Sequence, residues 1–361
     1  MEQPRLIVQE VLLMRSLVIN RGLQALSASA ALTLFAGCSG GSAIAPKPAS
    51  PQMAEPFQMR GVSGFVSAFD QVSGETRGQV RDYSCPATGR LVYVSDTNNL
   101  DVDVYAGKFA GQKHCGRIRS GIVLPFGLFV SPKTHDLYVA NYSGTNILVY
   151  HRGQTTPYNV YSDPTSQAPF DVTQDKNGVL IASNDSNEAQ TELGSISTWI
   201  EGPHGGKFVG NFPMTNSMQG QWLTIDDKGT VYFNDIDATT HSGVVWSVNC
   251  PAGVCGTQTK LTGVTPSDPG DMAINPAGNL QVIDRGVWSA DTYFLPNPVP
   301  STFPVYAPAG GMAINKLDNH WFISNYLYDE IDEYSYPDGK LISSVPGNSY
   351  RGGPDGIAID P

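Results

Sequence analysis

A seven-residue phrase recurs six times along the chain, and no other feature restricts the fold as strongly. Within each copy apolar and small residues alternate, and each copy ends on Asp, Asn or Ser. This alternation predicts a β-strand packed on both faces and followed by a turn. The copies occupy residues 125–131, 169–175, 220–226, 269–275, 309–315 and 354–360.

The spacing of the phrase gives the size of the repeating unit. Successive copies begin between 40 and 51 residues apart, which is the length of one unit of four short strands. Alternating third and fourth strands are also visible, for example at residues 147–150 and 340–344. A second strand follows each turn, at residues 91–96, 136–141, 179–184, 230–235, 279–284 and 320–325.

The two ends of the repeat region complement each other. The first unit begins near Ala87 without an opening phrase, whereas the last phrase ends at Pro361, where its turn should begin. An open stack of repeats would leave unpaired strand edges at both ends. We therefore predict an all-β fold, a six-bladed β-propeller over residues 85–361, with one-plus-three closure in which the C-terminal strand completes the first blade.

Composition excludes several other classes of protein. Charged residues make up 15% of the chain, below the roughly 25% of an ordinary globular domain, and 38 Gly and 26 Pro argue against helical bundles. The net charge is −11, and no cluster of Lys and Arg is present that could neutralise a row of phosphates. Nucleic acid is therefore not an expected partner.

The N-terminal segment has the order of a secretory signal. A stretch of 25 uncharged residues, 22–46, follows two arginines, and its centre is apolar. Its end, Leu-Phe-Ala-Gly-Cys, resembles the lipobox of bacterial lipoproteins, which implies a signal peptide over residues 1–37 and a lipid on Cys38. An ordinary secretory signal cleaved nearby is the alternative. Translation could begin at Met14, because a signal of normal length starts there.

Two further segments separate this leader from the repeats. Residues 38–56 are rich in Ala, Pro and Ser, which predicts a flexible tether. Residues 57–84 fit no repeat, and we interpret them as an N-terminal extension or strap. The chain is thus expected at the bacterial cell envelope, as a monomer that meets the membrane only through its lipid anchor.

Four cysteines besides Cys38 fit an oxidising compartment. Four cysteines allow three pairings. Cys250 and Cys255 enclose a short loop with turn residues, so we pair them with each other, which leaves Cys85 with Cys115. A zinc site is the alternative, but no His lies at ligand spacing from either pair.

The repeated phrases resemble NHL-type repeats and the related gluconolactonase-like propellers. The resemblance rests on Pro-Asp-Gly-Ile-Ala-Ile-Asp at residues 354–360 and on Leu-Tyr-Val-Ala-Asn at 137–141, and it covers about 275 residues. It implies a six-bladed propeller, and in the lactonase-like members a divalent metal held partly by Pro-Asn-Gly or Pro-Asp-Gly phrases. Here one blade keeps that pattern, since the equivalents of Asp355 are Phe126, Phe170, Gln221, Gly270 and Gly310.

The starts of the innermost strands are the candidate binding site. Three consecutive strands open with aromatic residues, and carboxylates stand beside and across from them, as in pockets for small molecules or glycans. The alternative is that the rings fill the channel as core. The candidate mouth residues are Phe126, Phe170, Asp171, Gln221, Trp222, Asp271 and Asp355.

Acidic and amide residues also close the second strands. Six such groups suggest calcium ligation, but a repeated turn also needs a repeated cap, and we favour the cap. These residues are Asp96, Asn141, Asn184, Asp235, Asp284 and Asn325.

Two functions follow from these patterns. We favour a non-enzymatic binding or scaffold module that holds a protein, a peptide or a glycan at one propeller face and needs no cofactor. The alternative is a metal-dependent hydrolase or lyase of the lactonase-like group, in which Asp171, Asp271 and Asp355 hold a divalent cation. The sequence contains no ordered Ser-His-Asp set that would support nucleophilic catalysis.

Overall fold

The computed structural model describes residues 83–107, 114–187, 193–237, 239–295, 300–305, 309–315, 320–325, 330–346 and 354–360. The predicted signal peptide, Cys38, the tether and all but the last two residues of the 57–84 extension lie outside these residues.

Within the described residues, 24 strands form six four-stranded antiparallel sheets, each one blade of a propeller. The blades are given from the innermost to the outermost strand. Blade 1 consists of β24 (Pro354–Asp360), β1 (Leu91–Asp96), β2 (Asp101–Ala106) and β3 (Gly116–Ile118). Blade 2 consists of β4 (Pro125–Val130), β5 (Leu137–Asn141), β6 (Asn146–Tyr150) and β7 (Asn159–Ser162). Blade 3 consists of β8 (Gln167–Gln174), β9 (Val179–Asn187), β10 (Leu193–Ile200) and β11 (Lys207–Pro213).

Blade 4 consists of β12 (Ser217–Ile225), β13 (Thr230–Asp237), β14 (Gly243–Asn249) and β15 (Thr259–Lys260). Blade 5 consists of β16 (Pro269–Ile274), β17 (Leu280–Asp284), β18 (Ser289–Tyr293) and β19 (Pro300–Pro304). Blade 6 consists of β20 (Ala309–Asn315), β21 (His320–Asn325), β22 (Glu330–Ser335) and β23 (Leu341–Pro346). One-turn 3-10 helices occur at Tyr142–Gly144 and Pro251–Gly253. The described residues contain no helix of the length and hydrophobicity needed to cross a bilayer.

The core lies between the blades. Val92 and Val94 of β1 pack against Phe322 of blade 6. Leu91 and Tyr93, the alternate residues of the same strand, join a cluster with blade 2. Since successive side chains of a strand point to opposite faces, a strand between two blades must be apolar throughout. This explains why the second-strand phrases are continuous hydrophobic runs.

The innermost strands form a closed ring. Each contacts the next in the order β4, β8, β12, β16, β20 and β24, and β24 contacts β4. In blade 1, β24 pairs antiparallel with β1, with Leu91 opposite Asp360. The predicted six-bladed, all-β propeller is therefore confirmed. The first sheet combines one strand from the C-terminal end of the chain with three strands that begin at residue 91.

Both predicted disulfides are present. Cys85 is bonded to Cys115, and Cys250 is bonded to Cys255. The first attaches the segment before β1 to the outermost strand of blade 1, where Tyr83 also forms a β-bridge with Gly116. Residues 83–85 therefore belong to the edge of blade 1.

Candidate functional site

One end of the propeller collects the candidate residues, and we call it the mouth face. It comprises the first residues of the innermost strands and the loops between the second and third strands of each blade. The strand register places these parts together, because Pro269 at the start of β16 pairs with Asp284 at the end of β17. Residues 97–100, 142–145 and 285–288 are described loops of this face.

The predicted aromatic residues meet at the mouth face. The rings of Phe126 and Phe170 are stacked with centroids 4.6 Å apart, and Trp222 contacts Phe170 edge to face at 5.0 Å. Tyr142, which the sequence did not single out, contacts Phe126 edge to face at 5.3 Å. The three predicted rings are 7%, 3% and 2% exposed, respectively. They form a packed aromatic layer across blades 2, 3 and 4.

Asp171 links three consecutive blades. Its Oδ2 accepts a hydrogen bond from the backbone N–H of Leu223 in blade 4 at 3.0 Å, and its Oδ1 accepts one from Val172 N–H at 2.8 Å. On its other side it lies against Gly127 of blade 2, where a Cβ atom would stand 1.9 Å from Asp171 Oδ1. The absence of a side chain at residue 127 leaves room for this carboxyl group.

Asp271 makes the equivalent contacts two blades further on. Its Oδ2 accepts a hydrogen bond from Met312 N–H in blade 6 at 2.7 Å, and its Oδ1 accepts one from Met272 N–H at 2.6 Å. Both oxygens of Asp171 and of Asp271 thus bind backbone amides. These carboxyl groups connect neighbouring innermost strands.

The environment of the two carboxyl groups favours their neutral form. Burial raises the pKa of Asp171 to about 7, against the opposing effect of the two amides. Burial raises the pKa of Asp271 well above its usual range, and the charge of Asp171 raises it further. Two carboxyl groups that share a dry region cannot both ionise readily.

Asp355 has charged neighbours that differ from those of Asp171 and Asp271. Partial burial raises the pKa of Asp355 to about 7, a hydrogen bond from Thr97 and the charge of Arg285 lower it, and the charge of Asp96 raises it. Neither Asp171 nor Asp271 is among the groups that shift this pKa. Of the three predicted metal ligands, Asp171 and Asp271 are therefore buried and link neighbouring blades, whereas Asp355 has other neighbours.

Gln221 is held by a residue that the sequence analysis missed. Arg285 Nη2 donates to Gln221 Oε1 at 3.1 Å and to Asp268 Oδ1 at 2.7 Å. The Nε atom of Arg285 is buried and has no hydrogen-bond partner among the described residues. Arg285 thus brings a positive charge to the mouth face, between blade 4 and Asp355 of blade 1.

The loop that carries Arg285 also exposes two large apolar side chains. Val287 is 63% exposed and Trp288 is 37% exposed. Trp288 has a φ angle of +56°, in the left-handed region that bulky residues rarely adopt. Strained conformations of this kind persist where the surroundings impose them and are frequent at functional sites. In the sequence, this loop could have been recognised from Arg-Gly-Val-Trp at residues 285–288, directly after the predicted strand at residues 279–284.

Tyr142 connects the aromatic layer to a further carboxyl group. Its hydroxyl donates to Asp185 Oδ2 at 2.8 Å. Burial raises the pKa of Asp185 to about 6, and the hydrogen bond from Tyr142 opposes this shift. Asp185 follows the second strand phrase of blade 3 by one residue, and no repeated pattern marked it.

Several residues that close the second strands cap turns. Asp96 Oδ1 accepts hydrogen bonds from Asn98 N–H at 3.0 Å and from Asn99 N–H at 2.8 Å. Asp284 Oδ1 accepts one from Gly286 N–H at 3.0 Å. Asn141 Oδ1 instead accepts from the backbone N–H groups of the segment before β4. The favoured interpretation as caps agrees with these contacts.

A second set of links between blades was missed. Ser324 Oγ donates to the Asp355 carbonyl of blade 1 at 2.8 Å and accepts from Gly311 N–H of its own blade at 2.5 Å. Ser183 Oγ contacts the Gln221 carbonyl of blade 4 in the same way. Each serine directly precedes the residue that closes a second strand, and this repeated position was the available signal.

Comparisons with known proteins identify the fold. No protein-family model matches the chain, and no curated protein matches its sequence. A chain from the crystal structure of a nidogen/laminin complex superposes with a TM-score of 0.62 at 10% identity, over 75% of this chain and 98% of that chain. A protein of unknown function from Bacteroides caccae gives 0.56 at 10% identity, over 75% and 99%. Hydrazine synthase from Kuenenia stuttgartiensis gives 0.51 at 12% identity, over 71% and 83%. At these identities the similarity concerns the propeller fold.

Proposed function

We propose that this propeller is a non-enzymatic binding module that holds a partner protein against its mouth face. The observation that carries the proposal is the exposed pair of Val287 and Trp288, next to Arg285. Trp and Arg are the residue types most enriched among the energetically dominant contacts of protein interfaces. A chain of this fold from a nidogen/laminin complex offers a precedent for a propeller that takes part in a protein–protein complex.

The preformed geometry of the loop supports this proposal. The backbone of Trp288 accepts a hydrogen bond from Val305 N–H at 3.0 Å, and Arg285 N–H donates to the Asp268 carbonyl at 2.8 Å. The loop is therefore attached at one end to the residue that precedes β16 and at the other end to the residue that follows β19. A preformed apolar contact loses little conformational entropy on binding.

The contacts of the carboxyl groups support binding over catalysis. A lactonase-like centre would need Asp171, Asp271 and Asp355 to converge on one divalent cation. Asp171 and Asp271 already accept backbone amide hydrogen bonds with both oxygens. An ion would therefore have to compete with backbone amides at all four oxygens, and at the two Oδ2 atoms it would compete with the hydrogen bonds that link neighbouring blades.

We further propose that a lipid on Cys38 holds the module at the bacterial envelope, as the lipobox-like sequence predicts. The net charge is −11 for the full chain and −12 without residues 1–37, and this acidic charge would oppose direct adsorption to anionic lipid. The propeller would then meet its partner while tethered by residues 38–56.

The test is site-specific photo-crosslinking in the native host. A photoreactive amino acid replaces Trp288 in one strain and Ile342, an exposed apolar residue of outermost strand β23, in a control strain. We expect one discrete crosslinked protein at position 288 and none at position 342. Equal products at both positions, or none at 288, would contradict a protein partner at the mouth face. A product that disappears on treatment with glycosidases would instead identify a glycan.

An assay of catalytic turnover distinguishes the proposed binding module from the alternative, a metal-dependent hydrolase or lyase. The purified protein is incubated with a panel of lactones in the presence of calcium, manganese or zinc. The binding proposal predicts no hydrolysis above that of the Asp355→Ala variant. Metal-dependent turnover that this variant loses would favour the hydrolase.

A further inference from the structure

Three carboxyl groups meet on one face of blade 1, where the β1–β2 hairpin closes. Asp96 ends β1 and lies directly opposite Asp101, the first residue of β2, and Asp103 follows on the same face. All three residues are 0% exposed. One side-chain oxygen from each lies within 4.8 Å of the other two. The same face packs towards blade 6, since Val94 and Tyr105 belong to that cluster.

Two arginines neutralise this cluster only in part. Arg117 Nε donates to Asp103 Oδ1 at 2.7 Å, and Arg119 Nε donates to Asp101 Oδ2 at 3.0 Å. The other oxygen of each carboxyl group, Asp101 Oδ1 and Asp103 Oδ2, is buried and has no hydrogen-bond partner among the described residues. Buried polar atoms without a partner are uncommon and call for a donor or a cation.

Two other blades, 3 and 5, carry a hydrogen-bond donor among the same three positions. In blade 3, Asn184 Nδ2 donates to Ser195 Oγ at 3.0 Å and to Ser197 Oγ at 2.7 Å. In blade 5, Ser289 Oγ donates to Asp291 Oδ1 at 3.1 Å. Each of these sets contains its own hydrogen-bond donor. The set in blade 1 consists of three ionisable carboxyl groups, which when ionised can only accept.

We infer that blade 1 binds a calcium ion between Asp96, Asp101 and Asp103. The ligands are carboxylate oxygens, which hard cations prefer. Asp101 Oδ1 and Asp103 Oδ2 have no donor among the described residues, whereas Asp96 Oδ2 accepts from Asn99 Nδ2 at 2.7 Å and would bind the ion through its second lone pair. Calcium–oxygen distances are about 2.3–2.6 Å, so two ligands of one calcium ion stand up to about 5 Å apart. The mutual separations within 4.8 Å fall in this range. Water would complete the coordination of the ion.

The charge balance favours a cation at this place. Three carboxylates and the two guanidinium groups hydrogen-bonded to them carry a net charge of −1, and Asp101 Oδ1 and Asp103 Oδ2 lack donors among the described residues. Each arginine occupies one oxygen of a carboxylate, so the second oxygen can bind the ion without breaking the ion pair. This inference does not depend on the proposed function, because none of the three carboxyl groups is among the residues proposed to contact the partner protein.

The experiment measures calcium binding directly. The purified protein is stripped with EDTA, dialysed against calcium chloride at increasing concentration, and analysed for bound calcium by atomic emission. We expect saturation at one calcium ion per chain and an increase of several degrees in the unfolding temperature at saturation. Asp103→Asn should weaken binding at least tenfold. Asp291→Asn, a buried aspartate at the same register position in blade 5, should bind calcium like the wild type.

Two results would overturn the inference. One is the absence of bound calcium in the wild type at millimolar concentration, since a shared proton would then balance the cluster. The other is equal binding by the wild type and Asp103→Asn, which would place the ion elsewhere.

Arg119→Gln provides a test that does not depend on the folding of Asp103→Asn. The Arg119 side chain is 43% exposed, and its replacement removes a positive charge while the three carboxyl groups remain. We expect this variant to bind calcium several-fold more tightly than the wild type. Unchanged or weaker binding would contradict the site.

Discussion

Arg152 of blade 2 forms a salt bridge with Asp360, the last residue of β24 in blade 1. The Nε atom of Arg152 also donates to the Ala87 carbonyl at 3.1 Å, in the segment that leads into β1. His135 Nδ1 lies 2.6 Å from the other carboxylate oxygen of Asp360. One side chain of a neighbouring blade thus contacts both chain segments that meet in blade 1. This contact lies at the end of the propeller opposite the mouth face.

Replacing Arg152 with Met is expected to weaken the joined blade. Asp360 is 0% exposed, and removal of one partner of a buried ion pair leaves an uncompensated charge, so we expect a loss of about 3 kcal/mol, with His135 as the remaining partner. Urea unfolding followed by tryptophan fluorescence measures the change. Lys260→Met serves as the control, because the Lys260 side chain is 47% exposed and lies 3.7 Å from Asp237, a separation longer than a hydrogen bond. An equal decrease in both variants would assign no special role to Arg152.

Gly311→Ala is expected to destabilise the ring of innermost strands. A Cβ atom at this position would stand 2.0 Å from the Asp355 carbonyl oxygen, which is backbone and cannot rotate away. Overpacking of this kind costs typically about 1–3 kcal/mol, measured as a shift of the unfolding midpoint. Gly256→Ala is the matched control, because its nearest neighbour would be 3.6 Å away. Equal midpoints for the two variants would show that the inner strands can separate to admit a methyl group.

Stability is expected to fall as the pH rises from 5 to 8. The pKa of Asp171 is about 7 in the folded chain and about 3.9 in an unfolded one, so the folded chain binds the proton more tightly. The resulting stabilisation is complete below about pH 4 and is lost as the pH rises through 7. Asp185 and Asp355, with pKa values raised to about 6 and about 7, act in the same direction.

Asp171→Asn separates this contribution from the others. One pKa unit corresponds to about 1.4 kcal/mol, and about two of the units by which the pKa of Asp171 is raised lie above pH 5, so Asp171 accounts for on the order of 3 kcal/mol of the change between pH 5 and pH 8. We expect the urea midpoint of Asp171→Asn to vary less between pH 5 and pH 8 than that of the wild type. Asp338→Asn, at an exposed position, should keep the wild-type dependence. Parallel curves for Asp171→Asn and the wild type would show that Asp171 does not bind the proton.

Lipidation is expected to require Cys38. In a bacterial host supplied with a labelled fatty acid, the wild type should incorporate label and sediment with membranes, whereas Cys38→Ser should do neither. Ser39→Ala keeps the cysteine and should be labelled like the wild type. Unlabelled wild-type protein with a cleaved leader would favour the ordinary secretory signal.

The positions of the strands followed closely from the repeated phrases. The predicted strands at residues 91–96, 309–315, 320–325 and 354–360 coincide with the observed β1, β20, β21 and β24. They were predictable because a strand between two blades must be apolar on both faces, which produces a continuous hydrophobic run. The register between the innermost and the second strand of each blade follows from the turn at the end of the repeated phrase.

The contacts of the polar residues were less predictable. Asp171 and Asp271 were recognised as candidates one position away from the family pattern, but their binding to Leu223 and Met312 amides depends on how neighbouring blades are packed. Arg285 was missed, because its partners Gln221 and Asp268 lie 64 and 17 residues away in sequence. The sequence of one repeat does not show which residue of the next blade will face it.

By itself, the sequence determined the number of blades, the strands and the two disulfides. The blades and strands follow from a periodicity that is local and repeats six times, whereas Cys250 and Cys255 were paired because they lie close in sequence, which left Cys85 with Cys115. Only the tertiary structure decided which carboxyl groups are used as links, which cluster keeps unpartnered oxygens, and which apolar side chains remain exposed. The physical reason is that hydrogen-bond satisfaction and burial depend on atoms from adjacent blades, and ring closure brings these together from distant parts of the chain.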